Sequence, residues 1–141
     1  MKLKLLDKII GEHLLSYGLP VLRYSLVLIF IWFGLLKSFG VSSANELVTQ
    51  TIYWFDPSWF VPFLGWWEVV IGICFLWKPL IRIGLPLMAL QMAGTFLPLL
   101  LLPHITFISF PFVLSLEGQY IVKNLVLIGA AMVVGGLLYK K

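Results

Sequence analysis

Seven polar side chains interrupt or border the long apolar stretches of this chain: Lys37, Glu68, Gln91, Glu117, Gln119, Lys123 and Asn124. A charge near the centre of a bilayer costs ~3 kcal/mol on insertion scales and more on others. Such a residue therefore needs a partner, a wet cavity or a function. The residue types define the chemistry available. Lys37 and Lys123 can hold an anionic or carbonyl oxygen. Glu68 can relay a proton. Gln91, Gln119 and Asn124 can orient a ligand, with Glu117 at the rim. The same residues also suit a buried ionic network that holds helices in register, and their types alone leave both readings open.

The elements that must position them are apolar helices. Of 141 residues, 61% are hydrophobic and only 11% charged, against about 25% charged in ordinary soluble domains. Hydropathy places four spans at 20–39, 60–77, 83–102 and 119–139, each close to the ~20 residues that cross the hydrocarbon. The expected fold is all-α: an integral membrane four-helix bundle forming a single domain over 1–141, without a separate soluble catalytic unit. The lipid bilayer is its first partner. Residues 2–17 place Leu3, Leu6, Ile10, Leu14 and Tyr17 at helical spacing, with Lys4, Lys8 and Glu12 on other faces. This predicts an amphipathic helix lying on the membrane surface, with Pro20 opening the first span. A second short amphipathic helix is expected in the first loop, started by a Ser43–Glu46 capping box and stopped by Asp56-Pro57. The segment 103–118, broken by Pro103 and Pro111, reads as a re-entrant or interfacial loop.

The net charge of +4 does not point to nucleic acid, because the basic residues sit where topology needs them. Lys2, Lys4, Lys8 and Arg23 precede or open span one, Lys78 and Arg82 lie between spans two and three, and Lys140 and Lys141 end the chain. The positive-inside rule then puts both termini in the cytoplasm, and no cleavable leader is expected. Helical spacing turns Lys37 to the side of Gly34, Glu68 to that of Gly65 and Gly72, Gln91 to that of Gly84, and Asn124 to that of Ala131 and Gly135. Small residues mark close helix packing in membranes. The polar residues can thus share one outward-opening site, where Lys37 and Lys123 balance Glu68 and Glu117.

Other chemistry is poorly provided for. His13 and His104 fall at opposite ends of the spans, which excludes a bis-histidine haem. No spacing suggests a zinc or iron–sulfur site, so no metal is expected. Cys74 is the sole cysteine, and Met88 with Met92 reads as core.

The segment Ser115–Gly136, SLEGQYIVKNLVLIGAAMVVGG, resembles the last span of the DoxX/DoxD-like superfamily of small four-helix membrane proteins. An Arg-Tyr start to span one, FGLLKSFG at its end, a Gly-Trp-Trp-Glu run in span two and a short basic turn before span three agree, so the likeness covers about residues 20–138. The resemblance implies a prokaryotic cytoplasmic (inner) membrane protein. DoxD-like members are associated with a membrane thiosulfate:quinone oxidoreductase. DoxX-like members are associated with oxidoreductase complexes and thiol or oxidative-stress defence, and distant relatives act as membrane chaperones. Three functions follow as expectations. The first is a membrane subunit in quinone-linked or thiol/sulfur redox chemistry, with quinone as the lipid-soluble redox partner, Glu68 as proton relay and a redox protein alongside. The others are a non-enzymatic scaffold or assembly factor and a small ion or metabolite carrier. A homo-oligomer is compatible with each.

Overall fold

The computed structural model describes residues 2–140; Lys141, one of the topology charges above, lies outside them. The chain is an up-and-down arrangement of four long helices: α1 (Lys2–Ser38), α3 (Pro57–Leu76), α4 (Ile81–Leu101) and α6 (Leu116–Leu138). All four are long and apolar enough to cross a membrane. They form a ring in which α1 packs on α3, α3 on α4, α4 on α6 and α6 on α1. The end of the ring holding Ser38, Pro57, Leu101 and Leu116 is called the upper end below. The shared core is apolar and rich in small contacts. Leu26, Phe30, Ile71, Phe75 and Ile81 meet Met88, Met92, Ala130, Ala131 and Val134.

Several boundaries differ from the sequence expectation. The surface helix at 2–17 and the span at 20–39 are one continuous helix, so the first of them leaves the bundle along the axis of the second. Pro20 removes the hydrogen bond to the Ser16 carbonyl. Ser16 is exposed, however, so that carbonyl is not sealed inside the protein and the helix runs on. α1 ends after Lys37 and Ser38, where Gly40 takes φ 75°. There the amides of Gly40 and Val41 return to the carbonyls of Lys37 and Leu36 at 3.2 and 3.0 Å. This paired closure requires a left-handed residue, which glycine supplies without strain.

The short loop helix exists as α2 (Asn45–Thr51), resting on α3 and α4. Its capping box does not form. Ala44 is the N-cap with no side-chain bond, and the preceding Ser42 hydroxyl instead accepts from the Ala44 amide at 3.2 Å. α2 also stops at Thr51, short of Asp56-Pro57. That pair starts α3, with Pro57 in its first turn and the Asp56 carboxylate accepting from the Ser58 amide at 2.9 Å. Proline suits a helix's first turn because the amide it lacks has no partner there. The Ser58 hydrogen bonds hold the Asp56 carboxyl below its ordinary value of 3.8. A depressed folded pKa contributes stability that is present above the unfolded value and lost as pH falls through the folded one. The Ser58 amide resonance should therefore titrate with a midpoint below 3.8, and Asp56→Asn should abolish that transition while keeping the cap. An NMR titration of the two proteins checks this.

The segment 103–118 is more ordered than a loop. It holds a one-turn helix, α5 (Pro103–Thr106), and a small antiparallel hairpin, β1 (Phe107–Ser109) with β2 (Val113–Leu114). Thr106 is fully buried. Its carbonyl accepts from the Ser115 amide at 2.9 Å and lies against Gly118, where a Cβ would collide with it. Ser115 then caps α6, its hydroxyl accepting from the Gly118 amide at 3.1 Å. α6 accordingly starts before the expected residue 119.

Candidate functional site

Three of the seven polar residues meet at the centre of the bundle. Lys37 Nζ donates to Glu68 Oε1 at 2.5 Å, and Gln91 Nε2 donates to the same oxygen at 2.6 Å. Each of the three residues is 8% exposed. Three helices are thereby tied through one carboxylate oxygen. Lys37 stands in the last turn of α1, where a cation complements the helix dipole. A helical side chain leans toward its own N-terminus, so the lysine stem reaches down from the upper end. Glu68 and Gln91 lie well inside their helices.

The backbone makes this reach short. Gly34 and Gly65, each one turn before a member of the ion pair, face one another. A Cβ added to either would stand 2.6 Å from the carbonyl oxygen of the other. Ser38 closes the same crossing, donating from its hydroxyl to the Gly34 carbonyl at 2.9 Å and to that of Pro62 at 3.4 Å.

Glu68 Oε2 and Gln91 Oε1 make no hydrogen bond among the described residues. Yet the only fully buried, unpartnered side-chain polar atom among those residues is Asn45 Oδ1. Neither oxygen is therefore completely sealed. The Lys37 and Glu68 side chains are only 10% and 11% exposed, however, so the cluster is a nearly buried ion pair whose second carboxylate oxygen makes no hydrogen bond among the described residues.

The remaining candidates stand apart. Glu117, Gln119 and Lys123 are exposed. Lys123 has its ammonium 5.2 Å from the Tyr120 ring centroid. Asn124 is half-buried and donates to the Tyr120 carbonyl of its own helix at 3.1 Å. The four-charge site expected from spacing thus contracts to one ion pair with a glutamine. His104 is exposed at the upper end, and Met88 and Met92 belong to the core.

Arg23 has a role that sequence reasoning missed. It was read as a topology charge, but its guanidinium donates to the Phe75 carbonyl at 2.8 Å and also to that of Leu76. These are the last carbonyls of α3, which have no partner within their helix. Pro79 two residues beyond Trp77 was the available signal, since the chain cannot continue the helix there and its end needs an external donor. Replacing Arg23 by methionine keeps the apolar stem and removes both bonds. Charge-assisted hydrogen bonds are worth about 1.5–3 kcal/mol each, so Arg23→Met should lose about 2 kcal/mol or more. Amide exchange should accelerate first at the α3 C-terminus, measurable by hydrogen–deuterium exchange in detergent micelles.

Comparison of the chain with protein-family models, with curated proteins and with solved structures finds no match in any of the three.

Proposed function

We propose that this chain is a four-span integral membrane protein of DoxX/DoxD type, with both termini cytoplasmic. It serves as a small membrane subunit in quinone-linked or thiol/sulfur redox chemistry, and its polar centre is Lys37, Glu68 and Gln91. The observation that carries the reading is a nearly buried intramembrane carboxylate where three helices meet, with one oxygen held by two donors and the other making no hydrogen bond among the described residues. Ionisable residues inside a membrane are functional by default.

The donor set fits a quinone carbonyl or a small oxyanion. Lys37 uses one ammonium hydrogen on Glu68, and Gln91 one amide hydrogen. A lysine has three such hydrogens and a glutamine two, so both keep donors for a ligand oxygen. Glu68 Oε2 is the atom at which a proton can be taken up or released, while Lys37 holds the carboxylate in place. A bound quinone would supply the two-electron, two-proton acceptor, and the electrons would come from a partner redox protein.

The test is reconstitution in liposomes with decyl-ubiquinone and thiosulfate or dithiothreitol, with and without genomically neighbouring redox proteins. Quinone reduction that Glu68→Gln and Lys37→Met each lower by about ten-fold or more is expected, in line with losses on removing a proton-transfer group. Absence of both quinone binding and quinone reduction under all these conditions overturns the proposal.

A scaffold role is the second reading. The observation favouring it is the upper rim, where Tyr53, Trp59, Trp66, Phe110 and Phe112 are all exposed. It requires a stoichiometric membrane partner whose assembly survives Glu68→Gln. The carrier reading rested on a charge-neutral funnel of four charges, and the separation of Glu117 and Lys123 removes that support.

A further inference from the structure

α1 extends well below the bundle. From Leu3 to Gly18 no residue is buried. Leu3, Leu6, Ile10, Leu14 and Tyr17 share one wholly apolar side, while the other mixes Lys4, Lys8 and Glu12 with Leu5 and Leu15, and Lys8 pairs with Glu12 at 3.9 Å. Leu14 and Tyr17 are 68% and 71% exposed. Because the helix is unbroken at Pro20, this stripe leaves the bundle along the axis of the span, so the lipid around the span does not cover it.

The stripe also continues beside the bundle. Ile10, Leu14, Tyr17, Val21, Tyr24 and Leu28 follow alternating steps of four and three residues, and Ile31 and Leu35 keep the rhythm. A sustained seven-residue apolar repeat is the seam of a left-handed coiled coil. From Ile10 to Leu28 this seam points away from the ring, whose contacts from α1 come from Leu26, Phe30, Gly34 and Lys37, while Ile31 also packs against Gly72 of α3. Two apolar grooves run along it, one at Pro20–Leu28 and one at Tyr24–Leu35. Seam side chains line both, with Val27 and Trp32 flanking one and Pro20 and Ser25 the other, and knobs from a facing helix would fit there.

We propose that a second copy of this chain covers the seam, forming a parallel α1–α1 pair that begins outside the membrane and continues beside the span. The proposal rests on the membrane-spanning reading, because copies inserted with one orientation must present α1 in parallel. A two-fold axis along the membrane normal then sets each seam residue near its own counterpart, the self-complementary arrangement of a symmetric dimer. Continuity across the span boundary argues for this occupant, since lipid covers only the upper part of the seam. Size permits it. From Leu3 to Leu35 the seam is about 50 Å long. With a contact width of about 10 Å it offers about 500 Å² per partner, which only just reaches the ~1,000 Å² in total that a specific interface needs and does so only if the part below the bundle takes part. Asp7 occupies the seam position one repeat before Leu14. Two like charges meet there, so the pair is weakened at that point.

The experiment uses full-length protein with Cys74→Ala. Single cysteines are placed on the seam (Leu14→Cys) or on the opposite face (Glu12→Cys) and oxidised in liposomes by copper phenanthroline and oxygen. Each disulfide removes two electrons and two protons from two thiols. Leu14→Cys should cross-link on the order of ten-fold faster than Glu12→Cys, since only facing positions bring Cβ atoms within disulfide reach. Light scattering in mild detergent should give the mass of two copies. Asp7→Leu should tighten the pair by about ten-fold or more through loss of like-charge repulsion, and Leu14→Lys should give the monomer. Equal cross-linking at both positions with a single-copy mass overturns the proposal. So does quenching of a Leu14→Cys fluorophore by lipid-borne quenchers, which would place the segment on the membrane surface. Carbonate extraction separates the failures. Release into the aqueous phase overturns the membrane reading and the pair together, whereas a retained monomer overturns the pair alone.

Discussion

Lys37→Met should be the most destabilising single change at the polar centre, by about 3–5 kcal/mol, the usual cost of removing one partner from a buried ion pair. Glu68 would keep only the Gln91 amide on Oε1 and would hold its charge deep in α3 without a counter-ion. Glu68→Gln should cost less, and the asymmetry follows from position. Lys37 stands in the last turn of α1, so a lysine released from Glu68 can swing its long stem to the upper rim and hydrate its ammonium. Glu68 lies mid-helix on a short stem and has no such exit. The double variant Lys37→Met/Glu68→Gln should recover most of the loss, because a neutral amide accepts from Gln91 and leaves no unpaired charge. Denaturation midpoints in mild detergent for the three variants complete a double-mutant cycle. A Lys37→Met loss no larger than that of Glu68→Gln, with no recovery in the double variant, would show that the contact does not stabilise the bundle.

The structure also shows which parts of this centre were readable beforehand. Lys37, Glu68 and Gln91 were placed correctly by a simple rule: each lies one or two turns from a glycine on its own helix, and small residues mark faces that touch other helices. The rule failed for Asn124, and Lys123, grouped with it by depth alone, is exposed. Asn124 does share a face with Ala131 and Gly135, but α6 buries those residues in its lower half, with Ala130 and Val134. Its upper part is held by α5 and the hairpin through Gly118 and Thr106. Spacing identifies a face of a helix; it does not say where along the helix that face stops being covered. The Lys123 ammonium lies over the Tyr120 ring of its own helix.

The helix boundaries carry a similar lesson. Hydropathy located the four long helices, but Pro20 was read as a break because proline usually ends an interior helix. In α1 it falls where exposed backbone tolerates the missing bond. Asp56-Pro57 was read as a stop for α2 and instead starts α3, since the same dipeptide satisfies either end. Only the placement of the next apolar residues decides, and Phe60, Val61 and Leu64 of α3 gave that signal in the chain. The capping box failed because the helix starts one residue late: Ala44 is the N-cap, and the Ser42 hydroxyl holds the Ala44 amide in the turn before it.

Gly65→Ala should destabilise the fold even though alanine is the better helix former. Alanine gains about 1 kcal/mol over glycine inside a helix, and replacement lowers the entropy of the unfolded chain besides. Against that gain stands a collision with backbone. The new methyl would lie 2.6 Å from the Gly34 carbonyl oxygen and would also displace the Ser38 hydroxyl. Neither helix can give way locally, because the same crossing is closed from the other side by Gly34 against the Gly65 carbonyl and the Val69 amide. Relief requires α1 and α3 to separate, which lengthens the Lys37–Glu68 contact one turn away. Overpacking of this kind costs about 1–3 kcal/mol, and the partial loss of the ion pair adds to it, so the collision outweighs the propensity gain. Gly34→Leu, with a larger group at the same crossing, should be worse. Gly94→Ala and Gly129→Ala are the controls. Nothing lies within 4 Å of a Cβ at either position, and each should be neutral or stabilising by up to about 1 kcal/mol. Thermal unfolding of the four variants, followed by tryptophan fluorescence in micelles, should order them with both controls at or above the parent, Gly65→Ala below it and Gly34→Leu lowest. If Gly65→Ala instead unfolds with the controls, the α1–α3 crossing is looser than the structure places it and cannot be what brings Lys37 to Glu68.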